Sequence, residues 1–319
     1  MNTKKILRRV LGQKEIGAVL PLIILLIVVG IVNPNFYGSG NLYDVLRTTA
    51  FAFFLGVPVT FLMASGGMDL SIGAVVSIGG VIAGSAMKAG CPIWVAILLA
   101  IVGGGLVGLV NGFSIVRFRL PAFIVTLATQ YCVNGINNIW TNGKSITGLP
   151  DAFKTIGQHR ILGEIPIPIL YALVLGVIGY IILSQCKVGR KVLAVGGNED
   201  TAYLAGINVQ LIKISIYVIT SCMAALTGVI YAARFGVVQA SIGSGIELTT
   251  IAAVIIGGTS MFGGIATMVG SFLGCLLIST ISNALVLIGV SVYWQNLIFG
   301  LILIVALYID RYRQKVLNS

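Results

Sequence analysis

Charge is scarce in this chain. Only 9% of its 319 residues are Asp, Glu, Lys or Arg, against about 25% in a soluble domain, so the surface that a water-soluble fold needs is missing. There is one histidine, His159, and nine acidic residues in all. No nucleophile–base pair or metal-ligand constellation stands out among them, which leaves little basis for an enzyme site. The five cysteines, Cys91, Cys132, Cys186, Cys222 and Cys275, are odd in number and scattered through apolar runs. That spacing excludes a disulfide framework or a metal cluster, and the cysteines read as small interior residues. A nucleotide site is excluded as well: Gly143-Lys144-Ser145 imitates the end of a phosphate loop, but Asn138 stands where the first glycine is required.

What is present is apolar. Hydrophobic residues make up 57% of the chain and the mean hydropathy is +1.04. Runs of the roughly 20 residues needed to cross about 30 Å of hydrocarbon recur along the sequence. Backbone groups in lipid must bond internally, so such runs are helices or strands of a closed barrel. These runs are continuous and do not alternate, which selects helices. The 41 glycines, many inside the runs, suit helices that approach closely in a membrane. The fold class is therefore all-α and polytopic, with about ten transmembrane helices expected near 16–33, 42–64, 71–88, 92–116, 121–141, 166–185, 210–233, 247–262, 265–288 and 292–309. Lys4, Lys5, Arg8 and Arg9 precede the first run as in a signal peptide, but no Ala-x-Ala site follows, and the run reads as a retained span.

The net charge of +11 is no nucleic-acid signal, because the basic residues sit at the ends of apolar runs. With an even number of spans, fourteen of the twenty Lys and Arg fall on the side of the N-terminus. That places both termini in the cytoplasm. Two hydrophilic connections stand out, an outer one over 142–165 and an inner one over 186–209, and neither is long enough to form a domain. The chain reads as one transmembrane domain over 1–319.

An internal echo divides it. Asp69-Leu70-Ser71 through Gly79-Gly80 aligns without gaps to Glu247-Leu248-Thr249 through Gly257-Gly258. The first copy runs outward and the second inward, which implies two inverted halves, about 1–141 and 166–309, with broken or re-entrant segments near 65–88 and 246–262.

Asp69 and Glu247 each open a short span and are followed by Ser71 or Thr249-Thr250. They read as helix-capping acids, as polar ends lining a pathway, or as both at once. Thr126, Gln130, Asn134 and Asn138 recur at i, i+4 on the fifth span. Amides facing lipid are costly, so this face points inward. Interhelical hydrogen bonds account for any one of these residues; together with Asn111, Ser279, Asn283 and Thr250 they fit a conduit for a neutral polar solute. An ion-driven carrier shows acids or histidine in mid-span, and only Asp69 and Glu247 keep that option open.

The inner loop reads GRKVLAVGGNEDTAYLAGI over 189–207, with Asp200, Ala202 and Gly206 in the order of an acidic-Ala-Ala…Gly docking motif and Thr201 departing from it. NPNFY at 33–37, SGGMDLSIG at 65–73, LPAFIVTL at 120–127 and IELTTIAAVIIGGTSMFGG at 246–264 lie in order along the chain. Together these motifs resemble the ribose/xylose/arabinose-type permeases of bacterial ATP-binding-cassette importers, a branched family that also holds amino-acid and autoinducer-2 permeases. The resemblance implies an inner-membrane monosaccharide permease working as a dimer of permeases, homodimeric or heterodimeric. It also implies a cytoplasmic ATPase with two nucleotide-binding modules, an extracytoplasmic sugar-binding protein, and no cofactor in the permease. On that pattern Gly197, Asn198, Glu199, Asp200, Ala202 and Gly206 form the coupling helix seated on the ATPase. The alternatives are an ion-coupled secondary transporter and an importer permease for autoinducer-2 or another non-sugar solute.

Overall fold

The computed structural model describes residues 16–317 apart from residue 162. The N-terminal cations Lys4, Lys5, Arg8, Arg9 and Lys14 lie outside the described residues. The chain is helical nearly throughout: α1 Ile16–Val32, α2 Ser39–Ala64, α3 Ile72–Lys88, α4 Ile93–Phe118 and α5 Ala122–Thr141 come first. After a connection come α7 Ile167–Ser184, α10 Val209–Phe235, α11 Ile246–Ile256, α12 Met268–Leu287 and α13 Val292–Leu317. The connection over 142–165 carries a short helix, α6 Asp151–Gln158, and a two-stranded hairpin, β1 Arg160–Ile161 with β2 Ile165–Pro166. That over 186–209 carries α8 Lys187–Gly197 and α9 Glu199–Leu204. The folded pieces within the two connections are not visible in the hydropathy pattern.

Five helices (α2, α4, α7, α10 and α12) are long and apolar enough to cross a membrane by length and composition. Their outward faces carry large apolar side chains such as Leu98, Leu106, Leu173, Val177 and Ile219, the arrangement of a bundle whose solvent is lipid. The centre is packed through glycine. Gly228 of α10 lies on the Val76 carbonyl of α3, and Gly104 and Gly108 of α4 lie on the α10 backbone at Ser221 and Tyr217. A Cβ at any of these positions would fall on main-chain atoms of the neighbour, so only glycine permits the approach. Around this crossing Leu55, Val59, Val75, Val76, Ala224 and Val254 form the central core.

Two helices start inside the bundle. The chain turns back after α2 at Ser65-Gly66-Gly67, with Gly66 left-handed at φ 77°, and α3 begins at Ile72. In the second half α10 stops at the left-handed Gly236, φ 66°, and residues 236–245 run back along α3. Val238 exchanges backbone hydrogen bonds with Ile146 at 3.0 and 2.9 Å and packs at Gly80 and Gly84. Further on, the Gly243 amide donates to Ser77 Oγ at 3.0 Å and Gly243 lies against the Gly73 carbonyl. Only then does α11 begin. Its 11 residues span about 16 Å, half of the hydrocarbon thickness.

The two starts share one level and point opposite ways. From the level of Gly73, α3 runs to the end of the bundle where Lys88 meets Gly148. From the same level α11 runs to the other end, where the Gly264 amide bonds the last carbonyl of α2, Ala64, at 3.0 Å. Both segments expected to be broken or re-entrant begin at turns buried in the bundle. The second helix, expected to reach residue 262, ends at Ile256, because Gly258, Gly263 and Gly264 take left-handed φ of 98°, 87° and 76° and turn the chain.

Candidate functional site

The two buried half-helix starts bring the polar residues of the core together. Asp69 is 1% exposed. Its Oδ1 accepts from the Ser71 amide at 2.7 Å and the Ser71 hydroxyl at 2.6 Å, tying down the first turn of α3. The chain of bonds continues outward: Asn111 Nδ2 donates to Ser71 Oγ at 2.9 Å, and Thr129 Oγ1 donates to Asn111 Oδ1 at 2.7 Å. Asn111 precedes the end of α4 by seven residues and Thr129 follows the start of α5 by seven. Both therefore lie about 10 Å of helix rise from the shared turn, and they meet side by side.

The next residue of α5 serves the second half-helix. Gln130 Nε2 donates to Glu247 Oε1 at 2.9 Å. Glu247 is 6% exposed, and its Oε2 lies over Gly73, where any side chain would collide with it. Adjacent residues of one helix are thus tied to both starts, Thr129 through Asn111 and Gln130 directly. Farther along α5, Asn137 Nδ2 donates to the Ala74 carbonyl at 3.3 Å.

The face of α5 that turns inward differs in part from the expected one. Thr126 is fully buried, Gln130 and Asn134 are half-buried, and Asn138, expected on the same inward face, is exposed. Steps of four advance about 40° around a helix, so three of them carry Asn138 some 120° away from Thr126. The sequence 126, 130, 133, 137 corrects for this drift and keeps Thr126, Gln130, Val133 and Asn137 on one side. Asn137 is the residue that the spacing argument missed, and a strict 3.6-residue count finds it.

Tyr217 was also missed. Its hydroxyl accepts from the Met68 amide at 3.3 Å and donates to the Met68 carbonyl at 3.0 Å. It clamps the turn that delivers Asp69, and nothing in the local sequence of α10 marks it. Thr250 is buried one turn beyond Glu247, and Ser279 is buried in α12. Asn283 stands apart: it exchanges amide hydrogen bonds with Asn41 at 2.8 and 3.1 Å. Asn41 in turn donates to the Phe36 carbonyl at 2.8 Å, so this pair anchors the Asn33–Tyr37 segment and is not joined to the Asp69–Glu247 site.

At the end of the bundle where α2 finishes, α8 is pressed onto the core. Gly196 lies against the Ala64 carbonyl and the Gly264 amide. Asn198 caps α9, its side chain accepting from the Thr201 amide at 2.8 Å. Glu199 pairs with Lys213 of α10, and Ala202 is buried beneath α9. Gly197, Asp200 and Gly206 are exposed, with Gly206 left-handed at φ 79°. Tyr203 and Leu204 are 72% and 85% exposed. A cleft of about 1310 Å³ opens beside α9, bounded by Gly67, Arg119, Glu199, Asp200, Lys213 and Tyr217. It reaches the turn that Tyr217 clamps, one residue short of Asp69. Among the described residues no three His, Cys, Asp or Glu side chains group as metal ligands.

A lipid-facing helical bundle with two inverted half-helices meeting at a polar centre defines a membrane permease. The chain belongs to the family described as branched-chain amino acid transport system / permease component, which it matches over residues 41–307; its members are transport components, not enzymes. It is 36% identical over 295 residues to the ribose import permease protein RbsC of Haemophilus influenzae, covering 91% of each chain. It is 34% identical over 302 residues to the L-arabinose ABC transporter permease protein AraH of Azospirillum brasilense, covering 93% of this chain and 88% of that one. To the autoinducer 2 import system permease protein LsrC of an Enterobacter species it is 32% identical over 309 residues, covering 97% and 90%. No solved structure matches the chain.

Proposed function

We propose that this chain is the membrane-spanning subunit of an ATP-binding-cassette importer in the bacterial inner membrane, passing a ribose-like neutral sugar handed over by an extracytoplasmic binding protein. The observation that carries the reading is the likeness to ribose import permeases over more than nine-tenths of the chain. The exposed α8–α9 pair supports it. It presents Tyr203 and Leu204 outward while Gly196 and the Glu199–Lys213 pair fix it to the core, as a surface that transmits force from a partner requires. On this reading both termini are cytoplasmic, two permease copies pair, and a cytoplasmic ATPase with two nucleotide-binding modules seats on Gly197, Asn198, Glu199, Asp200, Ala202 and Gly206. The two halves, about 1–141 and 166–309, are inverted repeats, and Asp69, Ser71, Asn111, Thr126, Gln130, Asn134, Glu247 and Thr250 line or support the pathway between them, while Asn283, expected among them, belongs to the supporting frame. ATP acts by binding the outward- and inward-open arrangements with different affinity, and the loop conveys that difference.

Reconstitution tests this directly. The permease in vesicles with its ATPase and sugar-loaded binding protein takes up sugar only when ATP is present. Glu199→Lys reverses one side of the pair with Lys213, and Gly206→Val forces a branched side chain into left-handed backbone. Each abolishes uptake while the protein remains inserted. Normal uptake and normal ATPase stimulation in both variants would remove the docking assignment. Two buried acids favour a second reading, an ion-coupled carrier; uptake driven by a proton or sodium gradient without the ATPase would establish it. The likeness to LsrC keeps a non-sugar solute in view, which competition between ribose and autoinducer 2 for the binding protein decides.

A further inference from the structure

Burial at the meeting point of the half-helices is one-sided in its hydrogen bonding. Among the described residues, Asp69 Oδ2, Glu247 Oε2 and Asn137 Oδ1 are buried without a hydrogen-bond partner. Each belongs to a side chain whose other polar atom is already used, by Ser71, Gln130 and the Ala74 carbonyl respectively. The three residues are 1%, 6% and 0% exposed. All three atoms accept and none donates. Asn137 bonds the first turn of α3 at Ala74, Glu247 lies over Gly73 and bonds Gln130, and Asp69 is joined to α5 through Ser71, Asn111 and Thr129. The ion pairs among the described residues are Asp44–Arg47, Asp151–Lys154 and Glu199–Lys213, so no lysine or arginine answers these oxygens.

A buried acceptor left unpaired is costly, and a charged one more so. Protonation could supply one hydrogen to a carboxylate but gives nothing to the Asn137 amide oxygen, so the set as a whole calls for a ligand with several donors. Such a ligand carries no negative charge, because two carboxylates would repel it. A ligand with several hydroxyls answers all three oxygens without bringing a charge of its own, since an amide oxygen and a carboxyl oxygen both accept from a neutral O–H.

We infer that Asp69 Oδ2, Glu247 Oε2 and Asn137 Oδ1 are the positions at which a neutral polyhydroxylated solute donates its hydroxyls as it crosses, and that the same oxygens exclude phosphorylated or carboxylated analogues. The inference rests on the importer reading above and adds to it a residue, Asn137, and a selectivity set by the permease itself. The element that admits the solute is α5. It buries only Thr126, Val133 and Asn137 and is joined to both half-helices through the Thr129, Gln130 and Asn137 side chains. Solute hydroxyls therefore replace bonds of the same kind when α5 parts from α3.

The test uses the permease–ATPase complex in nanodiscs, with millimolar D-ribose and ribose 5-phosphate as probes and saturation-transfer NMR as the readout. Ribose receives magnetisation from the wild-type complex and ribose 5-phosphate does not. Asn137→Leu lowers the ribose signal about tenfold, the scale of one lost hydrogen bond, and Asn137→Gln, which keeps the acceptor, restores most of it. Glu247→Gln lets ribose 5-phosphate give a signal. An unchanged ribose signal in Asn137→Leu, equal signals from both probes on the wild type, or a ribose signal that requires sodium would each overturn the inference. ATP hydrolysis by the complex is measured in the same samples: its absence from the wild type counts against the importer reading, while the NMR contrast still judges the site. Should Asn137→Leu fail to assemble, Asn137→Ser provides the same comparison with less change of volume.

Discussion

The two half-helix starts are related in sequence and opposite in direction, yet they are held very differently. The Asp69 start is tied to its neighbours by several side-chain bonds. Its carboxylate bonds the first turn of α3, a relay through Ser71, Asn111 and Thr129 joins three helices, and Tyr217 clamps the preceding residue. At the Glu247 start the carboxylate accepts a side-chain bond from Gln130, Thr249 bonds back to the Gly245 and Ile246 carbonyls, Ser77 accepts from the Gly243 amide, and the glycine backbone of residues 73 and 243 fills the contact. The helices behind them differ in the same sense, with 17 residues in α3 and 11 in α11. Regions with fewer bonds open at lower cost. The α3 start is therefore the more firmly held of the two and the α11 start the less firmly held.

The largest effect is expected where the two ends touch. Gly73→Val would drive its Cβ onto both the Glu247 carboxylate and the Gly243 carbonyl. Overpacking a tight site costs about 1–3 kcal/mol or more, and here backbone must yield, so the folded protein is lost. Fluorescence-detected size exclusion reads this as disappearance of the monodisperse peak. A well-folded Gly73→Val permease would mean that the two starts do not pack as described.

Asp69→Ala against Glu247→Ala measures the asymmetry itself. The first leaves the Ser71 amide and hydroxyl without their acceptor, each loss worth about 1–3 kcal/mol. The second leaves one half-buried Gln130 amide, at the lower end of that range. The thermal midpoint in detergent should fall clearly further for Asp69→Ala, while uptake is lost in both. Equal midpoints would abolish the distinction between a more and a less firmly held start. Tyr217→Phe sharpens it at smaller cost. It removes two bonds to Met68 with little change of shape, for about 1 kcal/mol, and loosens only the Asp69 side.

Much of this was legible in advance, for physical reasons. Apolar runs of span length are an unavoidable consequence of lipid as solvent, so the expected helices lie within a few residues of α1–α5, α7, α10 and α12, while α11 ends six residues before its expected end at 262 and α13 runs eight residues past its expected end at 309. The echo around Asp69 and Glu247 pointed to the two buried helix starts because polar caps inside apolar runs are expensive and thus conspicuous. What remained hidden depends on three-dimensional approach. Tyr217 acts on Met68 from 149 positions away, and no periodicity records that. Asn137 and Asn138 are adjacent amides, and only the accumulated rotation of α5 decides which one enters the core. The early end of α11 was obscured because Gly257–Gly264 contains Thr259, Ser260, Met261 and Phe262, which read as a continuation of the apolar run.

Asn283 provides the control for the whole comparison. Its polarity matches that of the pathway residues, but among the described residues its side chain bonds Asn41, and that pair secures the Asn33–Tyr37 turn to α12. Asn283→Ala removes two reciprocal amide bonds from a partly buried position and leaves Asn41 its bond to Phe36. The expected cost is about 1 kcal/mol, seen as a small decrease in thermal midpoint. Uptake by the molecules that remain folded is unchanged, since no bond connects this pair to Asp69 or Glu247. A large loss of uptake at normal stability would extend the solute pathway to α12, and the division between the polar centre and its supporting frame would have to be redrawn around Asn283.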